Sequence, residues 1–351
     1  MKIASIIDAI RDRRARSFDL QFRLIHTGQH YDRNMSGSFF EELGIPEPDL
    51  NLSVGSGTAA EQTAGIMIRY EKVTADRRSD LCLVVGDVTS TMACAIVAQK
   101  SGVPVAHVEA GIRSGDWSMP EEINRLLTDA ITNYFFTTSE AANDNLRRGG
   151  VREADILFVG NTMIDTLLKY RSHFREPAIW KSAGLHQSDF LVLTLHRPSN
   201  VDDPATLKGL IGKISESARG KSIIFPVHPR TASRLERIGP LPVNLHVTDP
   251  LGYLEFNFLV ERCQAVITDS GGITEETTVL GVPCLTLRNT TERPETITFG
   301  TNVLIGTDPA QIGPHFERLF EGKWKQGSIP PLWDGHAGKR IVSHLERLLT
   351  A

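Results

Sequence analysis

The sequence lacks any long hydrophobic run, since no apolar stretch approaches the roughly 18 residues that a membrane-spanning helix needs. It has only 4 cysteines and no Cys-x-x-Cys pair, which argues against a disulfide framework. It also lacks an excess of one charge, because 38 basic side chains oppose 42 acidic ones and the formal net charge is -4. Any anion site must therefore be local. We predict a soluble protein of the reducing cytoplasm, with neither nucleic acid nor a membrane as a partner.

The 351 residues are enough for two domains, each with its own core. Short runs rich in Val, Ile and Leu alternate with helical stretches, which predicts parallel strands buried on both faces in an α/β fold. The predicted strands are 20–28, 81–87, 103–111, 134–139 and 156–161, then 190–198, 222–230, 244–251, 264–270 and 283–288. The predicted helices of the first half are 2–14, 57–78, 90–101, 121–132 and 140–149.

This pattern predicts two Rossmann-like domains that face each other across a cleft. We place the N-terminal domain at 1–169 and the C-terminal domain at 170–334, with the weakly patterned stretch 170–188 as the linker. The last segment, 335–351, is an amphipathic helix that we expect to pack back on the N-terminal domain. The chain starts with a basic segment that is interrupted by acidic residues, which predicts an amphipathic helix rather than a signal peptide.

Three acidic positions are predicted to meet at the carboxyl edge of the first sheet. Asp87 ends one buried strand, Glu109 ends the next, and Glu121 and Glu122 begin the helix that carries Arg125. Acid and base work on both faces of a substrate needs more than one carboxylate, and crowding with partial burial is expected to raise some of their pKa values. Each carboxylate taken alone is more typical of a helix cap or a strand-end turn.

The segment TDSGGITEE predicts a strand, a glycine turn and a helix N-terminus in immediate succession. Two glycines let a ligand approach the N–H groups at a helix N-terminus, where the macrodipole favours phosphate. We expect the helix to start at Glu275 and Glu276, and Glu276 could accept hydrogen bonds from a ribose diol. The alternative is a plain tight turn followed by glutamates that stabilise the first helical turn. The predicted turn consists of Ser270, Gly271 and Gly272.

Arginines and histidines also follow predicted strand ends, where open α/β sheets bind ligands. Arg288 and Arg293 could clamp a phosphate or orient a neighbouring carboxylate, or they could belong to a solvated loop. His196 and His228 are either structural residues or, facing a cleft, an acid or a phosphate ligand. The chain has no His-Glu-x-x-His motif and no Cys/His cluster, so we predict no metal and no other cofactor.

A series of segments resembles the non-hydrolysing UDP-N-acetylglucosamine 2-epimerases. They are TGQH, GDVTSTMA, PVAHVEAGIRS, MPEEINRLLTD, VGNTMIDTL, LTLHRP, FPVHPRT, PLGYLEF, TDSGGITEE, GVPCLTLR and NTTERPET. The resemblance implies a glycosyltransferase-B-like pair of Rossmann domains, usually dimeric, with the active site in the cleft between them. Family members interconvert UDP-GlcNAc and UDP-ManNAc without a nicotinamide or a metal. UDP leaves by anti-elimination as the C2 proton is removed, and it adds back to the resulting 2-acetamidoglucal while C2 is reprotonated on the other face.

The resemblance also implies roles for particular residues, motif by motif. It leaves open which carboxylate takes the C2 proton. In the UDP site, Tyr253 lies where an aromatic residue neighbours the uracil. The residues that match catalytic positions are Lys2, Asp87, Glu109, Glu121, Arg125 and His196. The residues expected to bind UDP or the substrate are His228, Tyr253, Ser270, Gly271, Gly272, Glu276 and Arg293.

Two features depart from the family's pattern. The family opens with a strand and a GTRPE-type loop, whereas this chain starts with MKIASIIDAI, which matches the stretch immediately after that loop. We therefore expect the first strand and the loop arginine to be absent, and Met1 to be an internal methionine of a longer natural chain. Some bacterial members have an allosteric UDP-GlcNAc site that uses TGQH. Gln29 and His30 are present here, but Asp32 stands where those members have a glutamine.

Three other functions remain open at this point. A hydrolysing epimerase would release free ManNAc and UDP, because water instead of UDP adds to the glucal. A glycosyltransferase of the same architecture would need an acceptor, and the carboxylates of the first domain argue against it. A nucleotide-sugar sensor would bind UDP-GlcNAc without turnover. Reversible epimerisation is the function that the motifs favour.

Overall fold

Parallel strands alternate with helices along most of the chain that the structure describes. The computed structural model describes residues 1–14, 20–28, 40–227 and 229–350. The chain divides into two compact units, of which one is Met1–Lys169 together with Pro331–Ala351 and the other is Tyr170–Pro330. Each unit has a parallel sheet flanked by helices, so the predicted α/β class of two Rossmann-like units is confirmed.

The regular elements follow the chain in this order within the described residues. The strands are β1 Ile25–His26, β2 Leu50–Asn51, β3 Cys82–Val85, β4 Val105–Val108, β5 Tyr134–Thr137, β6 Ile156–Phe158, β7 Phe190–Thr194, β8 Ser222–Pro226, β9 Leu245–Thr248, β10 Ala265–Thr268, β11 Cys284–Thr286 and β12 Asn302–Leu304. The helices are α1 Ala4–Arg14, α2 Ala59–Asp76, α3 Thr89–Lys100, α4 Pro120–Ala130, α5 Glu140–Arg148, α6 Thr162–Tyr170, α7 Ala178–Ser182, α8 Pro198–Val201, α9 Pro204–Ser217, α10 Pro229–Leu235, α11 Tyr253–Arg262, α12 Gly271–Leu280, α13 Pro294–Thr298, α14 Ile312–Phe320 and α15 Ala337–Thr350. Among them is no helix whose length and apolar character would let it cross a membrane.

The first unit is built on a four-stranded parallel sheet with the order β3-β4-β5-β6, and β1 and β2 form a separate parallel pair. Helix α3 packs against both α2 and α4, and the final helix α15 packs against α1. In this contact Ile6 and Ile10 share a core with Ile341 and Leu345. Asp165 accepts hydrogen bonds from the first two N–H groups of α15 at 3.0 Å and 2.7 Å, which fixes the start of that helix.

The second unit has a six-stranded parallel sheet with the order β12-β11-β10-β7-β8-β9. Strand β7 lies near its middle and is buried on both faces. Leu191 and Leu193 belong to one core cluster, whereas Phe190 and Val192 belong to another. This alternation explains the continuous apolar run in the sequence, because helices cover both sides of the sheet.

Helix α4 has an inverted amphipathic pattern. Its polar side chains are buried, and they are Glu122, Asn124, Arg125, Thr128 and Asp129. Its apolar side chains Ile123 and Leu127 are instead 42% and 46% exposed. A surface helix usually buries its apolar stripe, so the inner face of α4 is committed to polar contacts.

Two element boundaries differ from the sequence-based expectations. The predicted strand 20–28 reduces to β1, because its ladder with β2 extends over only two residue pairs, Ile25 with Leu50 and His26 with Asn51. The helix expected to start at Glu275 begins four residues earlier, with Ser270 as its N-cap. Gly271 and Gly272 are therefore the first residues of α12 rather than a turn before it.

Candidate active site

Asp87 and Glu109 leave the first unit's sheet side by side. They follow Val85 and Val108, which are paired residues of the neighbouring strands β3 and β4. Lys2 Nζ donates to Glu109 Oε2 at 2.8 Å, and the Glu109 side chain is almost fully buried. The backbone of Glu109 has a φ of 70°, which is a left-handed conformation that costs a non-glycine residue about 1–2 kcal/mol. Such strain persists where the surrounding structure holds a functional residue in place.

Arg125 connects the first of these carboxylates to helix α4. Its Nε and one terminal nitrogen donate to Asp87 Oδ2 at 3.0 Å and 2.6 Å. The other terminal nitrogen donates to Glu122 Oε2 at 2.6 Å. The neighbouring Asn124 side chain donates to the Asp87 carbonyl oxygen at 2.9 Å. Asp87 is therefore held by both its side chain and its backbone, and its carboxylate remains 30% exposed.

Glu122 is a carboxyl of this cluster whose pKa is lowered rather than raised. Burial by itself would raise it, but the pKa of Glu122 is lowered because its carboxylate accepts hydrogen bonds from several donors. The backbone N–H groups of Ser114 and Gly115 donate to it at 2.9 Å and 3.0 Å, and Arg125 adds an ion pair. Glu121 precedes it in the first turn of α4 and is half-buried.

In the second unit, His196 is paired with an aspartate that we did not single out from the sequence as a functional residue. His196 Nδ1 lies 2.6 Å from Asp269 Oδ1, and the imidazole is 59% exposed, whereas the aspartate is fully buried. Asp269 also accepts from the Arg197 N–H at 2.9 Å and from the Asn200 side chain at 3.0 Å. Burial opposes ionisation, but these donors hold the pKa of Asp269 below its usual range. The pair orients an accessible imidazole beside an ionised carboxylate.

The N-terminus of α12 presents Ser270, Gly271 and Gly272, all partly accessible. A Cβ on Gly271 would lie 2.6 Å from a carboxylate oxygen of Glu292. Arg288 donates to the other oxygen of that carboxylate at 2.5 Å, and this contact outweighs burial and lowers the pKa of Glu292 to about 2. An anionic group therefore already lies close to the positive end of this helix.

Among the candidate site residues, Glu276 is a carboxyl whose pKa is raised. It is buried in α12, and desolvation raises its pKa to about 7 although the neighbouring Tyr253 and Asn257 side chains act in the opposite direction. The charge of the neighbouring Glu275 also raises it. Tyr253 is itself buried, and burial together with the nearby Glu276 raises the pKa of its hydroxyl.

Arg288 and Arg293, which lie between β11 and α13, are both paired with carboxylates. Arg293 Nε lies 2.9 Å from Glu275 Oε1, and both side chains are buried. Arg288 is paired with Glu292. The sequence left open whether these arginines bind a phosphate, orient a carboxylate or belong to a solvated loop. In the structure each guanidinium group is buried and contacts a carboxylate, so the loop is not solvated at these two positions.

Three predicted positions, Gln29, His30 and His228, lie outside the described residues. In the part of the chain that is described, no group of three or more His, Cys, Asp or Glu side chains is arranged to hold a metal ion. The described site residues therefore form one cluster in each unit. The first unit brings together Lys2, Asp87, Glu109, Glu122 and Arg125, with Glu121 at the start of the same helix.

Comparison with known proteins supports one family throughout. The family profile described as UDP-N-acetylglucosamine 2-epimerase matches residues 12–346. The UDP-N-acetylglucosamine 2-epimerase of Methanocaldococcus jannaschii is 41% identical, over 100% of this chain and 95% of the relative. A UDP-2,3-diacetamido-2,3-dideoxy-D-glucuronate 2-epimerase of Pseudomonas aeruginosa is 40% identical, over 93% of this chain and 91% of the relative.

A solved structure shows the same similarity in three dimensions. The crystal structure of the Methanocaldococcus jannaschii UDP-GlcNAc 2-epimerase in complex with UDP-GlcNAc and UDP has a TM-score of 0.87 and 40% identity. The alignment covers 99% of this chain and 96% of that one. Since both profile and relatives match nearly the whole chain, this protein belongs to the UDP-N-acetylglucosamine 2-epimerase family.

Proposed function

We propose that this chain catalyses the reversible epimerisation of UDP-N-acetylglucosamine at C2 to UDP-N-acetylmannosamine, without net hydrolysis. The observation that carries the proposal is the pair of cation-bound carboxylates at adjacent strand ends, Asp87 with Arg125 and Glu109 with Lys2. The C2 hydrogen is not next to a carbonyl group, so its removal needs a leaving group that departs in the same step. Two separate carboxylates can serve the opposite faces of C2.

In the proposed reaction, a carboxylate takes the C2 proton while the C1–O bond to UDP breaks, which gives UDP and a 2-acetamidoglucal. UDP then adds back to C1 as a proton returns to the other face of C2. Asp87, Glu109 and Glu121 are the candidate acids and bases. Lys2 and Arg125 stabilise the ionised carboxylates and keep them oriented between turnovers.

The second unit supplies the groups that would hold UDP as substrate and as leaving group. The N–H groups in the first turn of α12 lie at its N-terminus, where Gly271 and Gly272, with Ser270 at the N-cap, would receive the diphosphate. Glu276 would accept hydrogen bonds from the ribose, next to Tyr253. Arg293 and His228 are further candidate contacts. The His196–Asp269 pair can present a cationic imidazole to the phosphates or to the reacting sugar.

The reaction is tested by proton NMR of UDP-GlcNAc incubated with the protein in D2O. Deuterium at C2 together with growing UDP-ManNAc signals is the expected result. Free ManNAc with UDP would instead identify a hydrolysing enzyme, and calorimetric binding without exchange would identify a sensor. The same experiment with the UDP-2,3-diacetamido sugar, the substrate class named for the Pseudomonas aeruginosa relative, tests which sugar the site prefers.

A matched pair of variants tests the carboxylates. Glu109→Gln keeps the size of the side chain but removes the charge that Lys2 neutralises, so we expect deuterium incorporation to fall by about 100-fold or more. Glu153→Gln is the control, because Glu153 forms an exposed ion pair with Arg147. Equal activity of the two variants would contradict the assignment of Glu109.

We also propose that the protein forms a homodimer through the exposed apolar face of α4. Ile123 and Leu127 lie four residues apart on that face, and the polar face of the same helix is occupied by the candidate active site. A pair of apolar side chains on one exposed helix face can form a protein contact, and a second copy would bring the same face. Members of the family that this chain resembles are usually dimeric, which favours a second copy as the partner.

Sedimentation velocity tests this surface. The native chain is expected to sediment as a dimer at micromolar concentration, and Ile123→Glu with Leu127→Glu to sediment as a monomer. Val243→Glu is the control, because Val243 is 99% exposed in the other unit and should leave the dimer intact. A native chain that is monomeric, or a double variant that remains dimeric, would contradict the proposal.

We propose that the protein acts in the cytoplasm and supplies an amino sugar for cell-surface polysaccharide. The support is the family resemblance and the state of the thiols, since all four cysteines are buried and unpaired. Burial raises the pKa of Cys82 and of Cys284 to about 11, which keeps these thiols protonated and unreactive. Cell fractionation and the sugar composition of a deletion strain would test both parts.

A further inference from the structure

A buried histidine lies beneath the ends of β3 and β4, outside the set of proposed site residues. His107 is in β4 and is fully buried. Its Nε2 lies 2.8 Å from the Gly86 carbonyl oxygen, and its Nδ1 lies 2.7 Å from Asp129 Oδ1. A carbonyl oxygen can only accept a hydrogen bond, so Nε2 must carry a proton and donate it to Gly86.

The other ring nitrogen also faces a group that accepts. Asp129 Oδ2 receives the Gly111 N–H at 3.0 Å and an Arg113 terminal nitrogen at 2.6 Å. Burial alone would favour a neutral carboxyl, but His107 and Arg113 hold the pKa of Asp129 below its usual range. An ionised carboxylate donates nothing, so Nδ1 must also carry a proton. The hydrogen bonds therefore require a doubly protonated imidazolium at His107.

This network holds the two backbone segments that carry the candidate acids. The Gly86 N–H donates to the Val108 carbonyl at 2.9 Å while the Gly86 carbonyl accepts from His107, so the peptide just before Asp87 is fixed on both sides. On the other strand, Asp129 holds the Gly111 N–H two residues after Glu109. One carboxylate thus anchors both segments, including the strained Glu109 backbone.

We propose that His107 is a positioning residue for the epimerisation. Its imidazolium is held by Asp129, fixes the positions of Asp87 and Glu109, and balances the negative charge of these carboxylates. This inference rests on the proposed function. The charged groups around the network are Lys2, Asp87, Glu109, Arg113, Glu122, Arg125 and Asp129. With His107 protonated, their positive and negative charges are equal in number, and a neutral side chain at 107 would leave the group with an unbalanced negative charge.

Two variants separate the two hydrogen bonds of the ring. His107→Gln can still donate toward Gly86, whereas His107→Asn can still donate toward Asp129, and both remove the positive charge. Because small displacements of reacting groups are costly, we expect kcat to fall about 100-fold in both, with KM changed less than about 3-fold. The control is Thr137→Val, which removes a buried hydrogen bond to Asn143 at the end of the next strand. It should lower stability and leave kcat unchanged.

Two NMR measurements decide the inference without relying on turnover. In the native protein under the assay conditions, the 15N spectrum should show both ring nitrogens of His107 protonated. The carboxyl 13C shifts of Asp87 and Glu109 should move in His107→Gln and stay in place in Thr137→Val. An unprotonated ring nitrogen, unmoved carboxyl shifts or folded His107 variants with native kcat would overturn the proposal. If the native chain itself gives no C2 exchange, the proposed function fails, and the two NMR results still decide the role of His107.

Discussion

Replacing Glu276 by glutamine should make the second unit more stable, and increasingly so as the pH rises. Glu276 is buried in α12, and desolvation raises its pKa from 4.5 to about 7. Since the folded-state pKa is the higher of the two, folding favours the protonated carboxyl. The stability contributed by Glu276 is therefore fully present below about pH 4.5 and is lost as the pH rises through about 7. Glutamine keeps the shape and cannot ionise.

The size of the effect follows from the two pKa values. Each unit of difference corresponds to about 1.4 kcal/mol, so full ionisation of buried Glu276 opposes folding by about 3 kcal/mol. Most of this difference develops above about pH 5. The gain in unfolding free energy for Glu276→Gln should thus increase by about 2.5 kcal/mol between about pH 5 and about pH 8.

The assay must observe the second unit separately, because a chain with two units need not unfold in one step. Urea titrations read by pulsed hydrogen exchange on peptides from α12 meet this need. Glu236→Gln, at an exposed turn of the same unit, is the matched control. A difference between Glu276→Gln and the native chain that stays constant with pH would refute the reasoning.

The ionisation of Glu276 should also be coupled to UDP binding. In the proposed site, Glu276 accepts hydrogen bonds from the ribose, and an ionised carboxylate accepts more strongly than a protonated one. UDP affinity of the native chain should therefore increase as the pH rises through about 7, and UDP binding should release protons. Calorimetry in buffers of different ionisation enthalpy measures this proton release, and its absence would remove Glu276 from the UDP site.

Two further substitutions test the packing of the first unit. Arg125→Met breaks the buried ion pair with Glu122, so the free energy of unfolding should fall by about 3–5 kcal/mol in urea titrations, and a loss below about 1 kcal/mol would contradict the ion-pair argument. Gly160 and Gly150 both have a left-handed backbone conformation. In Gly160→Ala the new methyl group meets the Leu332 carbonyl oxygen, whereas in Gly150→Ala it meets no other atom. In thermal melts both should lose about 1–2 kcal/mol from the backbone, and Gly160→Ala at least about 1 kcal/mol more.

The α/β class was predictable because burial on both faces of a sheet leaves a direct record in the sequence. Strand β7 reads Phe-Leu-Val-Leu, and alternate residues contribute to cores on opposite sides. Polar residues interrupt 20–28, and there only β1 forms a ladder. Strand β12 was missed because three residues of weak pattern between loops carry too short a signal.

The His196–Asp269 pair could not be predicted, because the two residues are far apart in the sequence and meet only through the strand order. β7 and β10 are neighbours in the sheet, and their paired residues Thr194 and Thr268 shortly precede His196 and Asp269. Both residues were visible as polar groups after apolar runs. Nothing in the sequence alone says which of the strand ends are adjacent.

The sequence could not assign a pKa shift to each carboxylate, because a pKa depends on donors that the sequence does not locate. Glu122 receives two backbone N–H groups from the loop before α4, as well as Arg125. Glu276 is also buried, but desolvation outweighs its hydrogen bonds. Burial was inferable for both, whereas the balance between desolvation and donors was not.

The inversion of α4 connects the proposed site to the proposed dimer. Its inward side chains hold Asp87 through Arg125 and the Glu109 segment through Asp129, so neither Arg125 nor Asp129 can be exchanged for an apolar residue without releasing a candidate acid. The apolar residues Ile123 and Leu127 then lie on the outside of the helix. In our proposal a second copy covers them, which makes the dimer contact a consequence of building the site on this helix. Replacing Ile123 and Leu127 by acidic residues should therefore dissociate the dimer, and it should slow C2 exchange only to the extent that α4 is displaced. A variant that remains dimeric but exchanges more slowly would contradict the link between the dimer contact and the site.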